Sequence, residues 1–293
     1  MEALSAEQKA FYDAEGYLVL ERRVPMEIIE DIRAEIARFE AIAVGMETSD
    51  ERIDLEDSHR PDDPRIRRVK RPDTQSQVFA DLMRSDHILA PARDLIGPNI
   101  RLQTSKLNMK SAGYGAAVEW HQDWAFYPHT NDDVLAIGVI IDDMEEENGP
   151  LMVFPGSHKG PVLDHHAGGV FVGGVDLAAS GFDTADAATL MGPAGSISIH
   201  HGRILHGSAL NRSDRSRRLC FFEMMAADAF PLMGAIANLG TMEEYDERML
   251  CGTSTKEPRM KEVPVRIPLP MPEKSGSIYE VQQGLKARAF ERV

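Results

Sequence analysis

A mainly β chain with flanking helices, folded as one β-sandwich or jelly roll, is what this sequence predicts. Three observations point there. The segments "IRLQTSKLNM", "VLAIGVIIDDM", "LMVFPGS", "SISIHH" and "RLCFFEMM" are short, β-prone and bounded by Gly, Pro, Asn or Asp. Helical periodicity is confined to the first third of the chain. No internal repeat and no linker-like stretch divides the rest, so one domain over 1–293 is expected, with a helical part to about residue 98, a core at about 99–227 and an irregular wrap at 228–293.

Taken in order, Ser5 and Gln8 have capping-box spacing and predict a helix over Ala6–Glu15 that stops at Gly16. "YLVLERRV" reads as a short strand. Pro25 opens a second helix whose Ile28, Ile29, Ile32, Ile36 and Phe39 fall on one face. Residues 48–63 are polar and acidic and predict a loop. A third helix is expected over 76–96, ended by Gly97-Pro98. Residues 160–195, rich in Gly, Ala and Asp, read as a long insertion between strands, and the proline-containing stretch after Thr253 as an irregular wrap.

The 293 residues are 43% hydrophobic and 27% charged, an ordinary globular balance. A net charge of -15, from 32 basic and 47 acidic residues, disfavours a general role on nucleic acid or an anionic membrane. Two cysteines imply no disulfide framework. The N-terminus lacks the basic start and apolar core of a signal peptide, and no apolar run approaches the ~18–20 residues that cross a bilayer. A cytoplasmic protein with a small-molecule partner is expected.

The chemistry gathers at two places. In "EWHQDW" (residues 119–124), His121 and Asp123 would share one side of an extended strand, because residues i and i+2 do. Alone, that pair is weak evidence for a metal, since a stable site needs a third ligand. The second place is "ILHGSALNRSDRSRR" (residues 204–218), where His206 ends one β-prone segment and Arg217 follows eleven residues later in the next. Two histidines and one carboxylate can occupy one face of an octahedral iron(II), leaving three positions for a bidentate 2-oxo acid and dioxygen. A fixed, fork-shaped arginine suits the far carboxylate of that acid.

With "EENGPLMVFPGSHKG" (residues 146–160) between these motifs, the chain resembles the phytanoyl-CoA dioxygenase family of iron(II)- and 2-oxoglutarate-dependent oxygenases, over roughly residues 16–227. The resemblance implies a double-stranded β-helix core, a jelly roll of the cupin-like kind. It assigns His121, Asp123 and His206 to iron and Arg217 to the distal carboxylate of 2-oxoglutarate. Ser208 would orient that carboxylate, Gln122 would line the pocket, and Lys106 and Lys70 fall near positions that contact the cosubstrate. The implied reaction is oxidation of an unactivated C–H bond by O2, with release of succinate and CO2. Asp123 fills the position that related iron halogenases leave to chloride, which disfavours halogenation. One departure is that Val139 stands where a tryptophan is often found on the strand after the H-x-D motif.

Other readings stay open at this point. A jelly roll that binds ligand without turnover, or a hydrolase using the same triad, would share the metal residues. His200 and His201 rival His206 but read as strand or pocket residues, and His158 reads as structural. Trp120, Trp124, Phe126 and Tyr127 are packing or substrate contacts, with Trp124 and Tyr127 favoured for the pocket; His129 is ambiguous. The basic cluster Arg65, Arg67, Arg68, Lys70 and Arg71 is either a set of ion-pair partners or an anion-attracting rim. Substrate specificity is expected in residues 162–188 and 230–242.

Overall fold

A computed structural model describes residues 3–113, 115–233, 240–272 and 277–290. Its helical third holds α1 (Ala6–Glu15), β1 (Tyr17–Leu20), α2 (Met26–Ala43), β2 (Ile53–Leu55), β3 (Ile66–Lys70), α3 (Pro72–Gln75), α4 (Gln77–Arg84) and α5 (Asp86–Ile96). The core follows with β4 (Ile100–Lys110), β5 (Val118–His121), β6 (Val134–Ile140), β7 (Leu151–Val153), β8 (His166–Ala167), β9 (Val170–Phe171), α6 (Leu177–Ser180), β10 (Ala188–Leu190), β11 (Ile197–His201), β12 (His206–Ser208) and β13 (Arg217–Ala226). Then come α7 (Met242–Asp246), β14 (Met249–Cys251) and α8 (Ile278–Val281).

Local chemistry explains the helix ends. Ser5 Oγ accepts the Gln8 N–H at 3.2 Å and Gln8 returns the bond to Ser5 N–H at 2.8 Å, while Gly16 closes α1 at φ 80°. On α2, Ile29, Ile32, Ile36 and Phe39 are fully buried and Ile28 is half-buried. Each such side chain contributes about 1.5–3 kcal/mol by leaving water. The single helix expected over 76–96 is instead α4 and α5, broken at Ser85, which is extended (ψ 156°) and donates its hydroxyl to Leu82 O. A serine that bonds local backbone competes with helix propagation. The expected loop at 48–63 contains β2, because Ile53 and Leu55 bury against the core while pairing β3.

All pairing is antiparallel, in two main sheets. The larger runs β1-β11-β6-β13-β4-β3-β2, with β14 also on β4; the smaller runs β10-β7-β12-β5. The helices cover one face of the larger sheet: Ile29, Ile36, Leu82 and Leu89 share a cluster with Leu107, Ile137, Ile199 and Phe222. The other face looks across the sandwich, where Ile140, Leu219 and Phe221 meet Leu151, Val153 and Leu190 of the smaller sheet. Two sheets closed on a shared interior make a jelly roll. Val139 belongs to the helix-side cluster, so the departure seen in sequence lies behind the sheet and leaves no gap in the interior. Among the described residues no helix is long and apolar enough to cross a membrane.

Candidate active site

The register of the smaller sheet sets the first part of the site. His206, opening β12, is directly opposite His121, closing β5, and the two ring centroids are 4.1 Å apart. Gln122 is extended (φ -114°, ψ 124°), so Asp123 comes back to the side that His121 faces before the chain turns into a 3-10 turn. His121 Nε2 and His206 Nε2 lie 3.5 and 3.9 Å from Asp123 Oδ1. One donor atom from each residue lies within 4.8 Å of the others, and all three side chains are buried.

The histidines are held so that Nε2 faces inward. His121 Nδ1 bonds Glu119 O at 2.8 Å and His206 Nδ1 bonds Ile204 O at 3.1 Å, which fixes Nδ1 as the protonated nitrogen. Burial, together with the neighbouring His121, holds His206 well below the usual histidine range, hence neutral. Burial alone would raise the Asp123 carboxyl, but the nearby Lys106 ammonium overcomes it and holds the group well below the usual carboxylate range. Two imidazoles presenting Nε2 and one carboxylate, with orienting partners behind them, fit one divalent transition metal.

These atoms line a cavity of about 430 Å³ between the sheets, walled by β3, β4, β5, β13 and residues of the C-terminal wrap. At one end stand Arg217 and Lys110, cross-strand partners on β13 and β4. Both are almost fully buried, at 3% and 2% exposure, and among the described residues neither meets a carboxylate. Arg217 donates to Gly149 O at 2.6 Å, and its Nε has no partner among the described residues. Lys110 donates to Ser208 Oγ at 2.9 Å and to the carbonyls of Ser208 and Ala209. Burial pushes Arg217 down to about 10, and burial with the adjacent guanidinium pushes the Lys110 ammonium well down. Two buried cations without an anion are what a carboxylate-binding end requires.

The other expected residues divide. Ser208 lines the cavity. Gln122 does not: as residue i+1 between two inward side chains it points away, donating to Arg203 O at 2.8 Å and accepting from Leu163 N–H at 2.8 Å. Its place in the pocket is thereby corrected to a strut beneath it. Lys106 lines the cavity but is paired with Glu223 Oε1 at 2.5 Å, and Glu223 also accepts the Tyr127 hydroxyl at 2.8 Å. Lys70 sits on the wall paired with Asp54 at 2.7 Å.

Of the aromatic residues, Tyr127 and Phe126 line the cavity, whereas Trp120 and Trp124 pack in separate core clusters. In the basic cluster, Arg68 pairs with Asp54, Arg71 with Asp73 and Arg67 with Glu56 and Asp57. Residues 162–188 and the described part of 230–242 contribute nothing to the lining, and residues 234–239 lie outside the described residues. Met271, Ser277, Ile278, Tyr279 and Val281 form that wall instead.

Two groups, Lys110 and His165, escaped the sequence, whereas His200 was read there as a strand or pocket residue. Lys110 is indistinguishable from Lys106 by strand alternation alone. His200 lies on the wall with Nε2 3.5 Å from Asp123 Oδ2, while His201 turns away towards Asp132. His165 accepts the Gln122 N–H at 2.9 Å and so anchors the backbone between His121 and Asp123.

A jelly roll that presents two histidines, one carboxylate and a cationic recess defines the class: this is an iron(II)- and 2-oxoglutarate-dependent dioxygenase. The family model described as phytanoyl-CoA dioxygenase (PhyH) matches residues 12–219, and the chain belongs to that family. It is 37% identical, over 97% of its own length and 99% of the relative's, to a probable alpha-ketoglutarate-dependent hypophosphite dioxygenase of Stutzerimonas stutzeri. An L-proline trans-4-hydroxylase of Streptomyces griseoviridis is 35% identical over 48% of this chain and 60% of the relative. In fold it is similar to EctD from S. alaskensis with bound Fe, at a TM-score of 0.66 and 21% identity over 92% of this chain and 90% of the other.

Proposed function

We propose that His121, Asp123 and His206 hold the ferrous ion, that Arg217, Lys110 and Ser208 receive the far carboxylate of 2-oxoglutarate, and that the primary substrate is a small oxyanion. Hypophosphite is the first candidate. The observation that carries this reading is the charge of the cavity wall. In a chain of net charge -15, the described wall carries six cations (Arg68, Lys70, Arg71, Lys106, Lys110 and Arg217) and two acids, Asp123 and Glu223; four of the six have carboxylate partners, but Asp54 and Asp73 stand outside the wall, so the cavity face stays cationic. The full-length similarity to a relative named for hypophosphite supports the same choice. The helical third, the sandwich and the C-terminal wrap all supply wall residues, which supports a single domain.

Bound ferrous iron with 2-oxoglutarate supplies the oxidising power, coupling O2 reduction to decarboxylation of the keto acid. The chain's own share is placement. Arg217 and Lys110 neutralise the far carboxylate in a dry recess, where a fixed guanidinium fork gives direction as well as charge. Glu119 O and Ile204 O fix the tautomers of His121 and His206. The apolar wall of half-buried Phe126 and buried Leu219 and Phe221 excludes water from the reacting centre. Overall, hypophosphite, O2 and 2-oxoglutarate would give phosphite, succinate and CO2, one P–H bond becoming P–OH. A hydrolase using the same triad would have no need of the cationic recess beside it.

The test is aerobic incubation of the iron-loaded protein with 2-oxoglutarate and hypophosphite, following succinate and, by phosphorus NMR, phosphite. One phosphite per succinate is expected. Succinate release no faster than without hypophosphite would overturn the substrate.

A further inference from the structure

The register between β13 and β4 contains one irregularity. Pairs run from Arg217 with Lys110 to Glu223 with Thr104, and the next is Met224 with Leu102, so Gln103 has no opposite residue. An extra residue on one strand is a β-bulge, and bulges beside active sites re-aim side chains. The faces of β4 show this happening. Met109 and Leu107 pack on the helix side while Lys110, Asn108, Lys106 and Thr104 face the cavity; beyond the bulge, Leu102 and Ile100 take the helix side. The parity reverses at Gln103, which points into the cavity next to Thr104.

Gln103 is 2% exposed, yet neither its amide nitrogen nor its amide oxygen has a hydrogen-bond partner among the described residues. Leaving a buried polar group unmet is costly, and an apolar side chain of similar shape would pack there without that cost. The nearby polar groups are already engaged, Lys106 and Tyr127 both with Glu223. Gln103 is also seven residues along the strand from Lys110, roughly 23 Å of backbone, at the opposite end of the wall from the recess assigned to 2-oxoglutarate.

We propose that Gln103 is a specificity-determining residue that holds the primary substrate, its amide N–H donating to an oxygen of a small oxyanion. The proposal rests on reading this cavity as the dioxygenase active site with its cosubstrate at Arg217 and Lys110. The bulge is what delivers the amide: with regular pairing, residue 103 would belong to the helix-side core.

The test uses the full chain loaded anaerobically with iron(II) and 2-oxoglutarate, and compares Q103L and Q103E with the unaltered protein. Hypophosphite is titrated by calorimetry and by its effect on the visible absorption of the chelate, and the affinity for 2-oxoglutarate is measured separately. Q103L should weaken hypophosphite about 10- to 100-fold, the loss of one hydrogen bond to a charged group, and 2-oxoglutarate binding by no more than about twofold. Q103E keeps the size of glutamine but adds a negative charge, and should weaken the anion further than Q103L. Affinity for hypophosphite unchanged in both variants, or an equal fall in affinity for 2-oxoglutarate, overturns the proposal. Thermal unfolding of each variant verifies that it folds. If the unaltered protein ignores hypophosphite, the substrate choice fails by itself, and the three proteins are then compared with phosphite and L-proline. A weaker response of Q103L to whichever of these is turned over upholds the recognition role; Q103E exceeding Q103L, or none of these being turned over, removes the oxyanion assignment.

Discussion

Two sets of cations face one cavity, and they are built differently. Lys106, Lys70, Arg68 and Arg71 each sit against a carboxylate, of Glu223, Asp54, Asp54 and Asp73 respectively. Among the described residues, Lys110 and Arg217 meet only carbonyl and hydroxyl oxygens. The first set completes its own electrostatics within the fold. The second is left with buried positive charge that only a ligand can neutralise, at a cost to the stability of the empty protein. A basic side chain in a pocket therefore says little until its partner is known.

The strongest way to break this contrast is Lys106→Met. It leaves Glu223 buried with only Tyr127 to hold it, and should lower stability by about 3 kcal/mol in denaturant unfolding. Lys106 keeps 27% of its side chain exposed, which places the cost at the low end for a broken buried pair. A variant as stable as the parent would mean that the pair is not structural. Next come Arg217→Ala and Lys110→Met, each expected to raise the KM for 2-oxoglutarate about 10- to 100-fold. If Lys106→Met raised that KM more than Lys110→Met, the division of labour along β4 would be inverted.

Protonation at buried histidines behind the site sharpens the same point, because it too creates charge without an anion. Burial lowers His129 to about 4 and His165 to about 3, against their backbone carbonyl bonds to Tyr127 and Leu163. Unfolded histidines titrate near 6.5. Between 6.5 and about 4 the unfolded chain therefore takes up protons that the folded chain refuses, and stability is lost as pH falls. At pH 5.5 each group should have removed about 1.4 kcal/mol relative to pH 7.5. His165→Gln should shrink the difference by one such share in paired denaturant titrations. The smallest effect is expected from Lys70→Ala, whose partly exposed pair with Asp54 is worth at most about 1 kcal/mol and whose loss should leave the KM for 2-oxoglutarate within about threefold.

By itself, the sequence determined the helix at residues 6–15 through its caps and the strands through their composition, and its family motifs singled out the three residues that the fold clusters. His121 and Asp123 are two apart in an extended segment, so their common side follows from backbone geometry. The same rule, applied to the residue between them, already places Gln122 on the opposite side. Other features were decided only by tertiary structure. Ser85 ended a helix that periodicity would continue. Lys106 and Lys110 share one face of one strand, and Glu223, distant in sequence, decided which of them is free. Gln103 reaches the cavity because β13 pairs with β4 one residue out of step, and no local propensity encodes that register. Periodicity sees what a segment does along its own axis; charge neutralisation and strand register depend on a second segment, and exist only once the two are brought together.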